Sequence, residues 1–429
     1  MTAGAIVLLA LMGLLIAGIP IAFALGLIGY LGILGLRNMN AANSVLVTQI
    51  FDLAQTHTFT VLPLFILMGN LIARARISHD LYAASNAFLG HYRGGLAMAT
   101  IAACGGFSAV SGSSMATAST MARVAMPPMR AHGYSDALAA GSICAGGTLG
   151  ILIPPSVVLL IYGILTSTNI GQLFIAGIIP GTLGVLGYMA AIAVVTRLNP
   201  EAGPAGPRAA WPERLRLMRG VWPIVALFGL VLGGIYLGVF TPTEAAGIGA
   251  AGAFVFVLFR GTLTLRALID IFAESARTSA MMIALLFGAT LFNNYLDMLG
   301  FARDLASWLE TVNLTPMQAL LVMMGIYLVL GLFLESLSMM LLTIPIFFPV
   351  VQILGIDPVW FGILVVVAIE ISLITPPVGL NVFILKIMVR NITLATIFRG
   401  IVPFFVADLI RLGLLLAFPT LVLVLPRLM

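Results

Sequence analysis

Two short polar segments interrupt otherwise apolar stretches of this sequence, Ser111-Gly-Ser-Ser114 and Glu335-Ser-Leu-Ser338. A Pro-Pro pair follows each of them, at Pro154-Pro155 and Pro376-Pro377. Proline removes a backbone donor and clashes with the carbonyl four residues earlier, so two in succession unwind a helical turn and free carbonyl oxygens. Hydroxyl and carbonyl oxygens brought together suit Na⁺, while helix N-termini at the same break favour an anion. Two such segments predict two cation cages.

We single out three carboxylates that lie within or beside apolar runs, where a charge is costly and therefore marks a functional candidate. Glu335 is the strongest of them, and the alternative is that it lies near water and only caps a helix. Glu370, six residues before Pro376, is either a structural partner or a contact of the site. Glu244 is explained equally well by ligand contact and by capping a helix that begins at Pro242.

The sequence offers no recognisable machinery for catalysis. Its four histidines have no paired spacing, and Cys104 and Cys144 have no Cys-x-x-Cys spacing. It contains no Walker loop, nucleophile elbow or His-Glu-x-x-His motif. A membrane-embedded enzyme would need a paired nucleophile and base, which the chain does not offer. We therefore expect no ATP hydrolysis and no enzymatic activity.

The composition shows which solvent surrounds these segments. Of the 429 residues, 61% are hydrophobic and 8% are charged, and the mean hydropathy is +1.16. An average soluble domain is about a quarter charged. Apolar runs of about 20 residues, the length that spans a bilayer, recur along the chain and predict roughly ten or more spans. The clearest runs cover residues 6–36, 170–195, 221–239, 317–334, 361–374 and 401–425.

The net charge of +5 lies mostly between the runs, as in the cytoplasmic loops of membrane proteins and unlike a nucleic-acid patch.

The two halves of the chain repeat at one constant offset. Pro20 maps to Pro242, Pro127 maps to Pro349, and the two Pro-Pro pairs map onto each other, all without a gap. Each half combines a polar tip between apolar flanks, which predicts a re-entrant helical hairpin, with a helix broken by Pro-Pro. Internal repeats are common in secondary transporters, where the halves are often inverted and the binding site forms at their interface.

Five motifs carry a family resemblance, and they lie at residues 18–25, 105–118, 150–156, 238–246 and 374–381. They resemble the large membrane subunit, of the DctM or SiaM type, of tripartite ATP-independent periplasmic (TRAP) transporters. The similarity covers essentially the whole chain, and Thr-Pro-Thr-Glu-Ala-Ala at 241–246 is its most specific part.

The resemblance implies an elevator-type transporter in the bacterial inner membrane, in which a transport domain with two hairpins slides against a scaffold. It implies coupling to Na⁺ at two sites and import of an organic acid such as a C4-dicarboxylate or sialic acid. The partners would be a periplasmic binding protein, which delivers the acid, and a small four-helix membrane subunit, which this sequence lacks. Membrane lipid surrounds such a protein.

The resemblance also assigns segments and site residues. Scaffold helices of repeat 1 would lie in 1–92, hairpin 1 with its broken helix in 93–196, a cytoplasmic loop in 197–219, scaffold helices of repeat 2 in 220–314, hairpin 2 with its broken helix in 315–392, and a C-terminal transmembrane helix in 393–429. The first sodium set would comprise Ser111, Gly112, Ser113, Ser114, Gly147, Gly150 and Pro154. The second sodium set would comprise Glu335, Ser336, Ser338, Ser372, Thr375 and Pro376. Ser111, Ser156 and Glu335 would border the substrate.

Two other transport mechanisms remain open at this point. A stand-alone ion-coupled carboxylate carrier would share the hairpins and broken helices, although the block at 241–246 argues against it. A channel is disfavoured because the repeat brings two polar sites together instead of lining a continuous pore.

Overall fold

A computed structural model of the protein describes residues 2–75, 77–261, 263–312 and 314–429. In these ranges every regular element is a helix, which confirms the all-α fold. The helices of the first half are α1 (Thr2–Ile16), α2 (Ile21–Leu36), α3 (Met39–Gln55), α4 (Val61–Arg74), α5 (Ile77–Leu89), α6 (Gly95–Ser111), α7 (Ser114–Ala131), α8 (Asp136–Thr148), α9 (Val157–Thr166) and α10 (Ile170–Leu198).

The helices of the second half are α11 (Trp211–Tyr236), α12 (Pro242–Phe259), α13 (Leu265–Met298), α14 (Phe301–Val312), α15 (Pro316–Leu330), α16 (Ser336–Ile353), α17 (Pro358–Ser372), α18 (Leu380–Met388), α19 (Leu394–Ala417) and α20 (Thr420–Leu423). Many of them begin where a short polar side chain accepts a hydrogen bond from a first-turn N–H group. These N-caps are Ser113, Ser135, Ser156, Asn169, Thr241, Thr264, Thr315, Asp357 and Thr393.

Six of the described helices have the length and apolar composition to cross a bilayer: α10, α11, α12, α13, α16 and α19. The number rises to seven if the bent pair α4 and α5 forms one span, and further apolar helices are shorter. The apolar run 6–36 forms two helices, because Gly18 takes a left-handed φ of +82° and Pro20 follows it. The chain is therefore a multi-pass membrane protein.

The helix bounds follow the sequence repeat. The offset that carries Pro20 onto Pro242 also carries the bounds of α7 onto those of α16, and the start of α8 onto the start of α17. Both Pro-Pro peptide bonds are cis. The first break lies between Leu149–Ile151, a short 3-10 helix, and the start of α9, and the second lies between α17 and α18. Each half thus places a hairpin and a broken helix at equivalent positions.

The two halves pack by exchanging equivalent helices. Outside the hairpins and broken helices, α2 packs on α13, while α12, the counterpart of α2, packs on α4; we call these four the outer helices. Within the hairpins and broken helices, α7 packs on α18, and its counterpart α16 packs on α9. Each half therefore covers the broken helix of the other.

Three predicted segments differ in extent from the observed helices. The irregular part of the 197–219 loop is only 199–210, because α11 begins at Trp211 with a proline in its first turn. In the 393–429 segment the long helix ends at Ala417, and Pro419 precedes the short α20. The second hairpin turns at residues 331–335, so Ser336 and Ser338 lie in the first turn of α16 rather than in the turn itself.

Candidate functional site

The first hairpin turns where its sequence predicts. Helix α6 ends at Ser111, Gly112 takes a left-handed φ of +58°, and Ser113 begins the next helix. The Ser113 hydroxyl accepts a hydrogen bond from the Ala116 N–H at 3.4 Å. The hydroxyls of Ser111 and Thr117 lie 2.9 Å apart across the turn. The tip is thus a compact group of hydroxyl and carbonyl oxygens.

This tip lies directly against the first break, and glycines make the approach possible. A Cβ atom at Gly150 would lie 2.6 Å from the Ser113 carbonyl oxygen, which is too close for any side chain. A Cβ atom at Gly112 would lie 3.0 Å from the Pro155 carbonyl oxygen, and one at Gly147 would lie 2.7 Å from the Ala118 side chain. The structure therefore brings the two parts of the first sodium set together.

Ser156 uses its hydroxyl within the break. It is buried, donates to the Ile151 carbonyl, and accepts from the Leu159 N–H at 3.2 Å. The hydroxyl therefore caps α9 and fixes the unwound turn. Its neighbours Val157 and Val158, rather than Ser156 itself, line the cavity described below.

The second hairpin has a carboxylate where the first has a hydroxyl. Glu335 is the N-cap of α16, and its Oε2 accepts from the Leu337 N–H at 3.1 Å and the Ser338 N–H at 3.3 Å. Helix capping, the alternative to a site role for this residue, is therefore observed. The same side chain also lines the cavity between the hairpins.

The second break is more open than the first. Pro376 is exposed, whereas Pro154 is buried. The Ser372 hydroxyl donates to the Ile369 carbonyl at 2.7 Å, and the Thr375 hydroxyl donates to the Ile371 carbonyl at 2.6 Å. Gly331, at the start of the hairpin turn, lies against the Ser372 side chain. The second break is therefore more exposed to solvent than the first, although Gly331 packs closely on Ser372.

One cavity of about 250 Å³ joins the two hairpin tips. The first tip contributes Ser111 to Ala116, and the second contributes Glu335 to Leu337. Two outer helices, α4 and α13, close its other side. Its lining includes the carboxylates Glu274 and Glu335 but no lysine or arginine among the described residues, so its electrostatic potential favours cations.

The outer helices add polar groups that sequence reasoning missed. Asn70 of α4 and Glu274 and Thr278 of α13 line the cavity, and the Asn70 amide donates to the Ser275 hydroxyl at 2.9 Å. Glu274 is exposed and lies between the charged residues Asp270 and Arg277 of α13, so its sequence context does not distinguish it from a solvated helix face. The other two residues carry no local pattern that points to a site.

Glu370 is a partner in a buried ion cluster. Its Oε2 accepts from Arg411 Nη2 at 2.6 Å, and the same nitrogen lies 2.8 Å from Asp408 Oδ1. The Tyr188 hydroxyl donates to the other Asp408 oxygen at 2.7 Å. All four side chains are buried. Arg411 and Asp408, spaced i,i+3 inside an apolar helix, are the signal that sequence reasoning overlooked.

Glu244 caps α12. Its Oε2 accepts from the Thr241 N–H at 2.8 Å, while its own N–H donates to the Thr241 hydroxyl at 3.3 Å. With Pro242 in the first turn, this is a complete capping box. Of its two readings, the structural one is observed.

Comparison with known proteins identifies the family. Residues 8–421 match the family described as "Tripartite ATP-independent periplasmic transporter, DctM component". A "C4-dicarboxylate TRAP transporter large permease protein DctM" of Pseudomonas aeruginosa is 38% identical over 406 residues, which cover 94% of each chain. A "Sialic acid TRAP transporter large permease protein SiaM" of Vibrio cholerae is 33% identical over 418 residues, which cover 97% of each chain.

The fold also occurs in a solved structure. The YdaH transporter of Alcanivorax borkumensis matches 90% of both chains with a TM-score of 0.63, and at 17% identity this is a likeness of fold. The family match and both relatives extend over nearly the full length, across both hairpins and both breaks. The chain therefore belongs to the DctM family of TRAP transporter large membrane subunits, and it is a transporter subunit rather than an enzyme.

Proposed function

We propose that this chain is the translocating subunit of a Na⁺-coupled TRAP transporter that imports an organic acid across the bacterial inner membrane. The observation that carries the proposal is the cavity into which both hairpin tips project. Its two carboxylates, with hydroxyls and carbonyls around them, favour cations. An anionic substrate would enter such a cavity together with bound Na⁺, which neutralises the site.

The arrangement of helices supports an elevator mechanism. The cavity lies between the hairpin tips on one side and α4 and α13 on the other. The N-terminus of α7 opens into it at Ser113 and Ser114, and a helix N-terminus attracts a carboxylate. The hairpins and broken helices would move as one transport domain against the outer helices.

The names of the relatives support an organic acid as the proposed substrate. One relative is named for C4-dicarboxylates and another for sialic acid, and both classes carry a carboxylate. The family description names a tripartite periplasmic system. A small membrane subunit and a periplasmic binding protein are therefore the proposed partners of this chain.

The proposal is tested in proteoliposomes that contain this chain and the small subunit, with binding protein outside. Radiolabelled succinate and sialic acid are offered under an inward Na⁺ gradient, and again with K⁺ replacing Na⁺ on both sides. We expect uptake of one acid only with Na⁺ and all three proteins. Equal uptake in K⁺ would refute Na⁺ coupling. Full activity of this chain alone would identify a stand-alone carrier.

A further inference from the structure

A series of buried polar side chains joins the two broken helices at equivalent positions. Thr148 ends α8, six residues before Pro154. Glu370 lies in the last turn of α17, six residues before Pro376. The repeat offset maps one onto the other, so each side chain stands at the same distance from its own break.

Three side chains from α10 and α19 connect these two positions. The Thr148 hydroxyl lies 3.2 Å from the Tyr188 hydroxyl, which donates to Asp408 Oδ2 at 2.7 Å. Asp408 Oδ1 lies 2.8 Å from Arg411 Nη2, and that nitrogen donates to Glu370 Oε2 at 2.6 Å. We call these five residues the buried bridge.

The buried bridge has little freedom to adjust. Its two carboxylates and one guanidinium are shielded from solvent, and Arg411 is only 3% exposed. Gly184 of α10 lies so close to the guanidinium that any side chain there would collide with it. In a low-dielectric interior the contacts of Arg411 with Asp408 and Glu370 are strong, and separating either carboxylate from the guanidinium leaves an uncompensated buried charge. The Thr148 hydroxyl donates to the Ala145 carbonyl at 2.8 Å and meets Tyr188 through a neutral contact, so a shift of α8 at its break acts first on Tyr188.

A second connection lies on the far side of the second break. The Asn381 amide donates to the Cys144 carbonyl oxygen at 3.1 Å, and Asn381 is fully buried. Cys144 lies one helical turn before Thr148 in α8. Helix α8 is therefore tied to the second broken helix both before and after the Pro-Pro pair.

We propose that Tyr188, Asp408 and Arg411 are positioning residues that couple the two Na⁺ sites, so that an ion in one site raises the affinity of the other. The inference rests on the proposed function. Two residues of the first sodium set, Gly147 and Gly150, flank Thr148, and Ser372 of the second set follows Glu370 by two residues. An ion that orders one break fixes one end of the buried bridge and thereby orders the other break.

The test is equilibrium binding of ²²Na⁺ to the purified full chain in nanodiscs, which needs no knowledge of the substrate. The parent should bind two ions with a Hill coefficient of about 2, the limit for two strongly coupled sites. Tyr188→Phe removes one hydroxyl from the bridge and keeps the ring. It should still bind two ions, with a Hill coefficient of about 1 and a midpoint about tenfold higher.

Tyr134→Phe is the matched control. Tyr134 is also buried, and its hydroxyl accepts a hydrogen bond from the Leu96 N–H at 3.1 Å, away from the buried bridge. Tyr134→Phe should leave the ²²Na⁺ binding isotherm unchanged. If Tyr188→Phe and Tyr134→Phe have equal melting temperatures at saturating Na⁺, the lower Hill coefficient of Tyr188→Phe reflects lost coupling between the sites and not loss of structure.

A double-mutant cycle gives a second test that does not depend on Tyr188 alone. Thr148→Val and Glu370→Gln alter opposite ends of the bridge, and their effects on the Na⁺ midpoint should be non-additive in the parent. In the Tyr188→Phe background, the effects of Thr148→Val and Glu370→Gln on the Na⁺ midpoint should become additive.

The outcomes distinguish this proposal from the proposed function. Two ions bound with parent-like cooperativity in Tyr188→Phe, or additive effects in the parent, would overturn the coupling while Na⁺ dependence stands. Two independent sites in the parent would do the same. A parent that binds no Na⁺ would overturn both proposals.

Discussion

Ser113 and Glu335 cap the two hairpin helices α7 and α16 from equivalent positions of the repeat, and both line one cavity. The backbone geometry of the two caps is similar, because both residues are extended and accept bonds from first-turn N–H groups. Their charge differs, since one cap is a neutral hydroxyl and the other a carboxylate. The cavity is therefore asymmetric in charge although its two tips are related by the repeat.

The first prediction follows from that charge. Glu335→Gln retains an oxygen that can cap α16 but removes the negative charge from the cavity. We expect the Na⁺ concentration for half-maximal uptake to rise about tenfold, equivalent to about 1.4 kcal/mol, with normal expression. Ser111→Ala should have a smaller effect, because only a neutral hydroxyl is lost. The measurement is uptake against Na⁺ concentration in proteoliposomes.

Glu213→Gln is the control for this prediction. Glu213 is exposed in the first turn of α11, far along the chain from both hairpins, and its replacement should be nearly silent. If Glu335→Gln transports like the parent at limiting Na⁺, Glu335 serves only as a helix cap.

The second prediction concerns the contact between the first tip and the first break. Gly150→Ala would place a methyl group 2.6 Å from the Ser113 carbonyl oxygen, so the tip must move away. We expect a loss of stability of about 1–3 kcal/mol and a strong loss of uptake at limiting Na⁺. Gly413→Ala, whose added methyl group meets nothing within 4 Å, should lose neither. Equal behaviour of the two variants in uptake and thermal unfolding would contradict the close packing.

The third prediction concerns the connection between the halves through Asn381. Asn381→Leu keeps a similar volume but removes the amide that bonds the Cys144 carbonyl. The expected cost is about 1–3 kcal/mol, because polar groups are left unsatisfied in the interior. Asn40→Leu, at an exposed position of α3, is the comparison. Thermal unfolding in detergent measures both, and an unchanged melting temperature for Asn381→Leu would count against the bond.

The fourth prediction is a stability rescue in the ion cluster. Arg411→Met leaves Asp408 and Glu370 buried without their cation, which should cost about 3–5 kcal/mol. Adding Asp408→Asn and Glu370→Gln removes both uncompensated charges, so the triple variant should be more stable than Arg411→Met. Arg216→Met at an exposed site should change little. A triple variant less stable than Arg411→Met would mean that the cluster stabilises by packing and not by charge balance.

Local sequence rules predicted the elements of this fold well. Glycine and proline decide where helices break, so the turn at Gly112 and the interruptions before Pro154 and Pro376 follow directly from residue type. The second hairpin turns earlier than its sequence predicts, because Glu335 and Ser336 have the residue types of a loop although Glu335 is the cap that starts α16. Polar residues favour a turn and a helix cap alike.

The cavity could be predicted only in part. Ser111 and Glu335 were expected to border one site, and they do line the same cavity. Asn70 and Glu274 lie in helices that are distant in sequence from the hairpin tips, so only tertiary packing shows that they line the cavity. The ion cluster is predictable only in part: the charges of Glu370, Asp408 and Arg411 inside apolar helices mark them as candidates, but the pairing of Glu370 with Arg411 across two helices leaves no pattern in a single sequence.

The exchange of equivalent helices between the halves has a consequence for biogenesis. The first half leaves the ribosome before α12, α13 and α18 exist, although α4, α2 and α7 pack against them. Until synthesis of the second half is well advanced, the first hairpin and its unwound turn lack the surfaces that cover them. During translation there is therefore an interval in which the first half lacks its packing partners. In that interval the insertion machinery must keep unpaired backbone groups out of contact with lipid. The two halves, expressed as separate polypeptides, should accumulate only when produced together.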